Sequence, residues 1–337
     1  MNILENYDLS KLNTFGIKAK ASFFIEINTE DDVVELFSLD LFKKSEKLFL
    51  GGGSNVLFTK DFDGIVVINK LKGIEIIGED ENTVLVKSMG GEAWNDLVSF
   101  SVDKGYWGIE NLALIPGSVG ATPVQNIGAY GVEIKETLVS VEAYEIETGK
   151  KKIFSNEECK FGYRDSVFKN ELKGKYFISA MILKLNKKEN LNSNYKALQD
   201  YLKKNNLQIK NSKDVSNAIS EIRKTKLPDP KDLGSAGSFF KNVYVDQNKF
   251  KELKEKYLDM PSFTEGEMIK IPAGWLVEAC GWKGKKVGNV GVYDKQALVL
   301  VNLGGATGQE IKNLSDEIID SVYKKFGVKI TPEVNLI

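Results

Sequence analysis

Leu50-Gly51-Gly52-Gly53-Ser54-Asn55-Val56-Leu57 sets three consecutive glycines directly behind an apolar, strand-like run. Glycines there can turn backbone N–H groups toward an anion with no side chain in the way, as a phosphate cradle requires. The spacing is not the dinucleotide-binding GxGxxG, because Val56 to Gly64 does not read as the long helix that motif needs. A plain tight loop is the competing reading. The second segment, Ile115-Pro116-Gly117-Ser118-Val119-Gly120-Ala121-Thr122-Pro123-Val124-Gln125-Asn126-Ile127-Gly128-Ala129-Tyr130-Gly131, mixes glycine, proline, small hydroxyls and an amide pair. Its Ile115, Val119, Val124, Ile127 and Tyr130 are spaced to anchor it into a core. A loop this long and this well anchored is usually functional, with a structural crossover as the alternative. Together the two segments suggest a large ligand with a pyrophosphate and a flat ring, a description that FAD meets and a simple sugar phosphate does not.

The 337-residue chain contains no histidine. That excludes the Ser-His-Asp triad, the Cys-His dyad and the usual zinc sites. Proton transfer must use carboxylate, lysine, tyrosine, cysteine, serine or water, and redox chemistry needs a cofactor. Cys159 and Cys280 are the only cysteines and form no CxxC pair, so neither a zinc cluster nor a disulfide framework is supported. Both are expected as buried thiols. A net charge of −1 with lysines and acids interspersed leaves no basic stripe for nucleic acid or an anionic membrane, so the partner should be a small molecule. Met1 to Gly16 lacks the order of a signal peptide, and no run reaches the roughly 18 apolar residues of a membrane span. A cytoplasmic location is expected.

At this length two or three domains must position the loops. The first seventy or so residues read as a small α+β unit, with strands at Ser22–Ile27, Leu48–Leu50 and Ile65–Ile68 and a helix at Glu30–Phe37. The pattern changes near Lys72, where strands at Thr83–Ser88 and Val139–Ile146 flank a helix over Ala93–Val102 that turns Trp94, Leu97 and Val98 inward. Asn186 to Lys213, rich in Lys, Asn and Ser, reads as an exposed, mobile excursion with a short helix near Tyr195–Lys203. After the proline-broken linker Lys226-Leu227-Pro228-Asp229-Pro230, helices are predicted at Lys249–Tyr257, Ala273–Cys280 and Gly308–Phe326, and a strand at Ala297–Val301. In the last helix Ile311, Leu314, Ile318, Val322 and Phe326 share one face.

Asn13-Thr14-Phe15-Gly16, Gly51 to Leu57, Ile115 to Gly131, Phe161-Gly162-Tyr163-Arg164-Asp165-Ser166, Lys226 to Pro230, Gly234 to Asn242 and Pro332-Glu333-Val334 lie in order along nearly the whole chain. This set resembles the UDP-N-acetylenolpyruvoylglucosamine reductase (UDP-N-acetylmuramate dehydrogenase) family, in the class with a tyrosine-bearing insertion. Each stretch alone is weak, but their collinear agreement is specific. The resemblance implies an α+β protein of three domains. Residues 1–71 with 329–337, and residues 72–227 with a Tyr195 flap, would form an FAD-binding fold similar to the vanillyl-alcohol oxidase type, and residues 228–328 would bind substrate. It implies non-covalent FAD held by Gly51, Gly52, Gly53, Ser54 and Asn55 and by Pro116, Gly117, Ser118, Gly120, Ala121, Gln125, Asn126, Gly128, Ala129, Tyr130 and Gly131. It also implies that NADPH passes hydride to the flavin N5. Hydride then goes to C3 of the enolpyruvyl group of UDP-N-acetylglucosamine enolpyruvate, and C2 is protonated to give UDP-N-acetylmuramate for peptidoglycan. A monomer without nucleic-acid or membrane partners is expected.

Hydride addition at C3 builds negative charge at C2 and on the adjoining carboxylate, so the site needs a fixed cation and a proton donor. Arg164 suits the first task because a guanidinium stays charged and can grip a carboxylate at two points; an ion pair with Asp165 is its ordinary alternative. The resemblance makes Ser238, in Gly237-Ser238-Phe239-Phe240, the donor to C2, where a serine beside glycine is otherwise a turn residue. It makes Glu333 the catalytic carboxylate, although glutamates near a chain end mostly solvate it. Tyr163, Tyr195, Lys226, Asn242 and Gln296 are assigned to nucleotide and substrate binding, each being otherwise a packing or surface residue. Lys226 and Asn242 offer donors to phosphate or carboxylate oxygens, and Tyr195 could stack from a flap. No metal is implied.

The chain departs from the family's common pattern at Tyr293, near which a histidine is usual, and around Met260, where an aromatic is expected; the strand after Glu333 should be short. A flavin oxidase of the same fold is the competing enzyme, but it would usually want a covalent attachment residue, often histidine. A nucleotide-sugar binding module would need no FAD at all.

Overall fold

The computed structural model describes residues 1–189 and 195–337. In chain order the elements are β1 (Ile3–Asp8), β2 (Lys20–Ile27), α1 (Glu30–Ser38), α2 (Asp40–Lys44), β3 (Glu46–Leu50), β4 (Val56–Leu57), β5 (Phe62–Asn69), β6 (Ile74–Glu79), β7 (Thr83–Met89) and α3 (Trp94–Asp103). There follow β8 (Gly128–Ala129), β9 (Val132–Glu133), β10 (Leu138–Glu145), β11 (Lys151–Ser155), β12 (Tyr176–Asn186), α4 (Lys196–Lys204) and α5 (Ser212–Lys226). The last are β13 (Gly234–Ser238), β14 (Val243–Val245), α6 (Gln247–Lys256), β15 (Phe263–Glu265), β16 (Met268–Ile271), α7 (Ala273–Ala279), β17 (Lys286–Val287), β18 (Val290–Val292), β19 (Val299–Asn302), α8 (Gly308–Phe326) and β20 (Asn335–Leu336). The chain divides into two compact units, one of Met1–Tyr7, Ala21–Gly52 and Asp63–Arg223, the other of Asp8–Lys20, Gly53–Phe62 and Lys224–Ile337. Residues 8–20, 53–62 and 329–337, expected with the first domain, belong to the second unit.

The first unit holds two sheets. One has the order β1-β2-β5-β3, with β3 and β5 parallel. Val33, Leu36 and Phe37 of α1 and Phe42 of α2 pack with Ile25, Ile27, Ile65 and Val67. The helix α1 begins at a capping box between Thr29 and Asp32, which satisfies two otherwise orphaned backbone N–H groups. The other sheet, β11-β10-β12-β7-β6, is antiparallel at each pairing. Its centre is β12, an almost unbroken apolar run of 11 residues that suits a strand flanked on both edges. Trp94, Leu97 and Val98 of α3 are fully buried with Val84, Val86, Met181 and Leu183. The Phe49 and Phe177 rings, 5.5 Å apart edge to face, and a 2.9 Å hydrogen bond from Asn69 Nδ2 to the Ile178 carbonyl join the two sheets.

The excursion expected over Asn186–Lys213 lies partly outside the described residues, and its C-terminal end opens a helix that was not expected. That helix, α5, buries Val215, Ala218, Ile219 and Ile222, an i, i+3, i+4, i+7 stripe diluted by Lys, Asn and Ser. No described helix is long and apolar enough to cross a membrane.

In the second unit the order is β13-β19-β18-β17, beside a small sheet β14-β16-β15, and β20 pairs in parallel with β4. The helix α8 is closed at its ends by a Thr307–Glu310 capping box and by Gly327 in the left-handed region, and it buries the expected apolar face. Met260 is buried. Cys159 is buried as expected, and burial pushes its thiol up to about 12, so it offers no thiolate at neutral pH. Cys280 is only half-buried, because it caps the C-terminus of α7.

The buried carboxylate of Glu142 on β10 lies 2.9 Å from Lys87 Nζ and 2.8 Å from Lys151 Nζ, and Lys151 also reaches Glu30 of α1 at 2.8 Å. Burial pushes the Glu142 carboxyl up, but the contacts from Lys151 and Lys87 outweigh it and hold the group below its ordinary range. A depressed folded pKa gives stability that is present above the unfolded value and lost as pH falls through the folded one. Glu142→Gln is therefore expected to lose about 1.5–3 kcal/mol at pH 7, the worth of hydrogen bonds to a charged group. Urea unfolding of both proteins should show that gap closing below about pH 4.

Candidate active site

In the first unit the two glycine-rich segments meet backbone to backbone. A Cβ on Gly52 would lie 2.9 Å from the Gly117 Cα, and one on Gly51 would lie 2.6 Å from the Ser118 Oγ. Only glycine permits this approach, and the result is a cradle of main chain and small side chains of the kind a dinucleotide pyrophosphate requires. The residues present therefore fit FAD. Some of the expected cofactor residues do other work. Gly120 gives its N–H to the Gly90 carbonyl at 2.8 Å, and Ala121 gives its own to Ser118 at 3.0 Å. Ile115, Val124, Ala129 and Tyr130 pack partly buried against the core that holds Val119 and Ile127.

Arg164 sits on a tight turn closed by Gly162 N to Asp165 O at 3.0 Å and Asp165 N to Gly162 O at 3.2 Å. Its φ is +53°, and its guanidinium donates to the Gly128 carbonyl and lies 5.4 Å from the Tyr163 ring. The Asp165 carboxylate accepts from Asn170 Nδ2 at 2.9 Å. Tyr195, 45% exposed, meets Tyr130 edge to face at 5.3 Å. Tyr130 in turn hydrogen-bonds Arg223 of α5, a residue not singled out from the sequence. Burial raises the Tyr130 hydroxyl and lowers the Arg223 guanidinium, whose Nε is a buried atom without a hydrogen-bond partner. Arg223 lies one turn before Lys226 on α5, and because the apolar stripe of that helix is diluted among lysine, serine and asparagine, no sequence signal marked it.

In the second unit Asn13-Thr14-Phe15-Gly16 forms a structural insert. Asn13 is buried and ties Leu9 and Ile17 through its side chain, each bond 2.9 Å. A Cβ on Gly53 would lie 1.9 Å from the Leu12 carbonyl oxygen, and one on Gly234 would lie 2.3 Å from that of Phe15. Ser238 ends β13 after a bulge: Ser235 pairs with Val301 and Ser238 with Val299, leaving one extra residue at Ala236–Gly237. Gly237 takes φ +68°, and the bulge turns the Ser238 side chain out to solvent while Phe239 and Phe240 are buried. Glu333 N donates to the Phe239 carbonyl at 2.7 Å and Lys241 N to that of Thr331 at 2.9 Å. The segment that follows Ser238 and the one that carries Glu333 thus run antiparallel side by side, joined by a single bridge between Phe240 and Pro332. Asn55 Nδ2 donates to the Glu333 carbonyl at 3.4 Å.

Asn242 and Gln296 come together at the start of α7. Asn242 Oδ1 accepts the Ala273 N–H at 3.1 Å, and Gln296 Oε1 lies 3.3 Å from where a Gly274 Cβ would sit. Lys226 is exposed at the last residue of α5, and Ser54 is half-buried.

Residues 21–153 match the family described as FAD binding domain, which sets the class as a flavin-binding protein, and residues 229–337 match the UDP-N-acetylenolpyruvoylglucosamine reductase C-terminal domain. The chain is 49% identical, over all of both chains, to a UDP-N-acetylenolpyruvoylglucosamine reductase of Flavobacterium johnsoniae. It is 44% identical over 99% of both to one of Bdellovibrio bacteriovorus. The crystal structure of the Thermus caldophilus reductase shares its fold at a TM-score of 0.65 and 22% identity, covering 99% of this chain and 98% of that one. The chain belongs to the UDP-N-acetylenolpyruvoylglucosamine reductase family, which are FAD-dependent oxidoreductases.

Proposed function

We infer that this chain reduces UDP-N-acetylglucosamine enolpyruvate to UDP-N-acetylmuramate at the expense of NADPH, in peptidoglycan precursor synthesis. Full-length identity of 49% to a reductase of that name carries the reading. FAD, when bound, supplies the hydride chemistry, accepting from NADPH and delivering to C3 of the enolpyruvyl group. The backbone about Gly51, Gly52, Gly117 and Ser118 would hold its pyrophosphate. Arg164 binds the substrate carboxylate at two points and opposes the charge that develops there. Ser238 gives its proton to C2; a hydroxyl is a weak acid, but an enolate-like carbanion is basic enough to take it. Glu333 acts beside C2. Tyr163, Tyr195, Lys226, Asn242 and Gln296 bind nucleotide and carboxylate. The backbone bridge that joins the segment after Ser238 to the one carrying Glu333 in the second unit supports their shared task.

The two sheets of the first unit support a division of the FAD-binding part near Lys72, with residues 228–328 as the substrate domain. The protein acts as a cytoplasmic monomer with no nucleic-acid partner. The purified protein is expected to be yellow and to release its FAD on denaturation, since no histidine is present to attach it. A visible spectrum should bleach on anaerobic NADPH and recover on the enolpyruvyl substrate. A colourless protein that takes up no FAD on refolding would overturn this reading.

A further inference from the structure

Three side-chain ties join Val124–Gly128 to Gly162–Ser166 within the first unit, meeting every second residue of each segment. The buried Ser166 hydroxyl donates to the Val124 carbonyl at 2.6 Å, Asn126 Nδ2 donates to the Gly162 carbonyl at 2.9 Å, and Arg164 Nη2 donates to the Gly128 carbonyl. The middle tie comes from a fully buried amide. The other N–H of Asn126 goes to Glu133 Oε2 at 3.0 Å, and its Oδ1 accepts from Lys135 N at 3.2 Å. Both donors and one acceptor position of the side chain are therefore filled by protein groups, which leaves little of it to face a ligand.

The geometry around it is shaped to one purpose. Asn126 itself takes φ +45°, a left-handed conformation that asparagine tolerates better than other side chains. Gly162, whose carbonyl it holds, closes the turn that puts Arg164 at φ +53°, where arginine stays only if its surroundings fix it. A Cβ on Gly128 would come within 2.8 Å of Arg164 Nη1 and 2.9 Å of Glu133 Cγ, so the guanidinium lies against bare backbone.

We propose that Asn126 is a positioning residue, holding the Gly162–Asp165 turn so that the Arg164 guanidinium keeps the aim required to grip the substrate carboxylate. The proposal rests on the reading of Arg164 as the carboxylate-binding cation. It moves Asn126 from contact with the cofactor to support of the arginine. Without the amide the turn can relax out of its left-handed conformation, leaving a cation that is present but misplaced.

The test uses Asn126→Gly, which keeps the backbone freedom and removes only the amide. Asn126→Asp is the second variant; it also tolerates the left-handed conformation but brings no N–H to the Gly162 carbonyl and sets a carboxylate against Glu133. FAD affinity is read by fluorescence titration of the apoprotein, and each half-reaction is followed by stopped flow. FAD binding and bleaching by NADPH should stay within about twofold of normal. Reoxidation by the enolpyruvyl substrate should slow by about 10- to 100-fold, the scale of an ångström's misplacement. Since Asn126 acts through Arg164, Asn126→Gly should add nothing in an Arg164→Ala background. Weakened FAD binding with normal reoxidation would overturn the proposal, as would additive effects in the double variant. Slow Arg164→Ala with normal Asn126→Gly would overturn this proposal alone. Normal reoxidation in Arg164→Ala would overturn the reading of Arg164 as well.

Discussion

In Ser238→Ala, NADPH is expected to bleach the flavin absorbance at close to the normal rate, while reoxidation by the enolpyruvyl substrate slows by at least about 10²-fold, the lower end of what a positioned acid contributes. The two half-reactions separate because a donor at C2 has no part in taking hydride from NADPH. Alanine removes no core contact, since the Ser238 side chain is exposed and the bulge before it is held by backbone pairing. Ser238→Cys should keep more activity than alanine, because a thiol in the same place still has a proton to give. Equal slowing of both half-reactions would point instead to a disturbed Gly237–Phe240 turn.

Arg164→Lys should lower turnover by about 10²-fold, comparable to the loss of one fixed donor at a developing anion, with nearly normal flavin content. Lysine keeps the charge but not the planar two-point grip, and it cannot reproduce the guanidinium's fit over Gly128. Flavin content is read from the visible spectrum and turnover from NADPH oxidation. Unchanged turnover would make Arg164 a structural residue.

Where a feature depends on residues near one another in the chain, the sequence was a good guide. The helix α8 follows from its 3.6-residue stripe of Ile311, Leu314, Ile318, Val322 and Phe326, a local signal. The anchoring of Val119 and Ile127 was legible for the same reason. By contrast α5 was hidden because its stripe of Val215, Ala218, Ile219 and Ile222 is set among lysine, serine and asparagine, a composition that resembles an exposed excursion. The candidate site was legible mainly as a set of family motifs. What the motifs did not reveal was how the residues are held. The Asn126 tie to Gly162, the pairing of Glu333 with Phe239 and the bulge before Ser238 all link positions distant in the chain, and no local periodicity encodes them.

The left-handed Gly237 has open space where a Cβ would stand, and the side chain after it projects from the sheet rather than into the core. The chemical identity of that side chain can therefore be varied without repacking anything beneath it. Hydroxyl and thiol placed there in turn would differ by several units of acidity at one fixed address. The change in log rate with that acidity would report how far the proton has travelled toward C2 at the transition state.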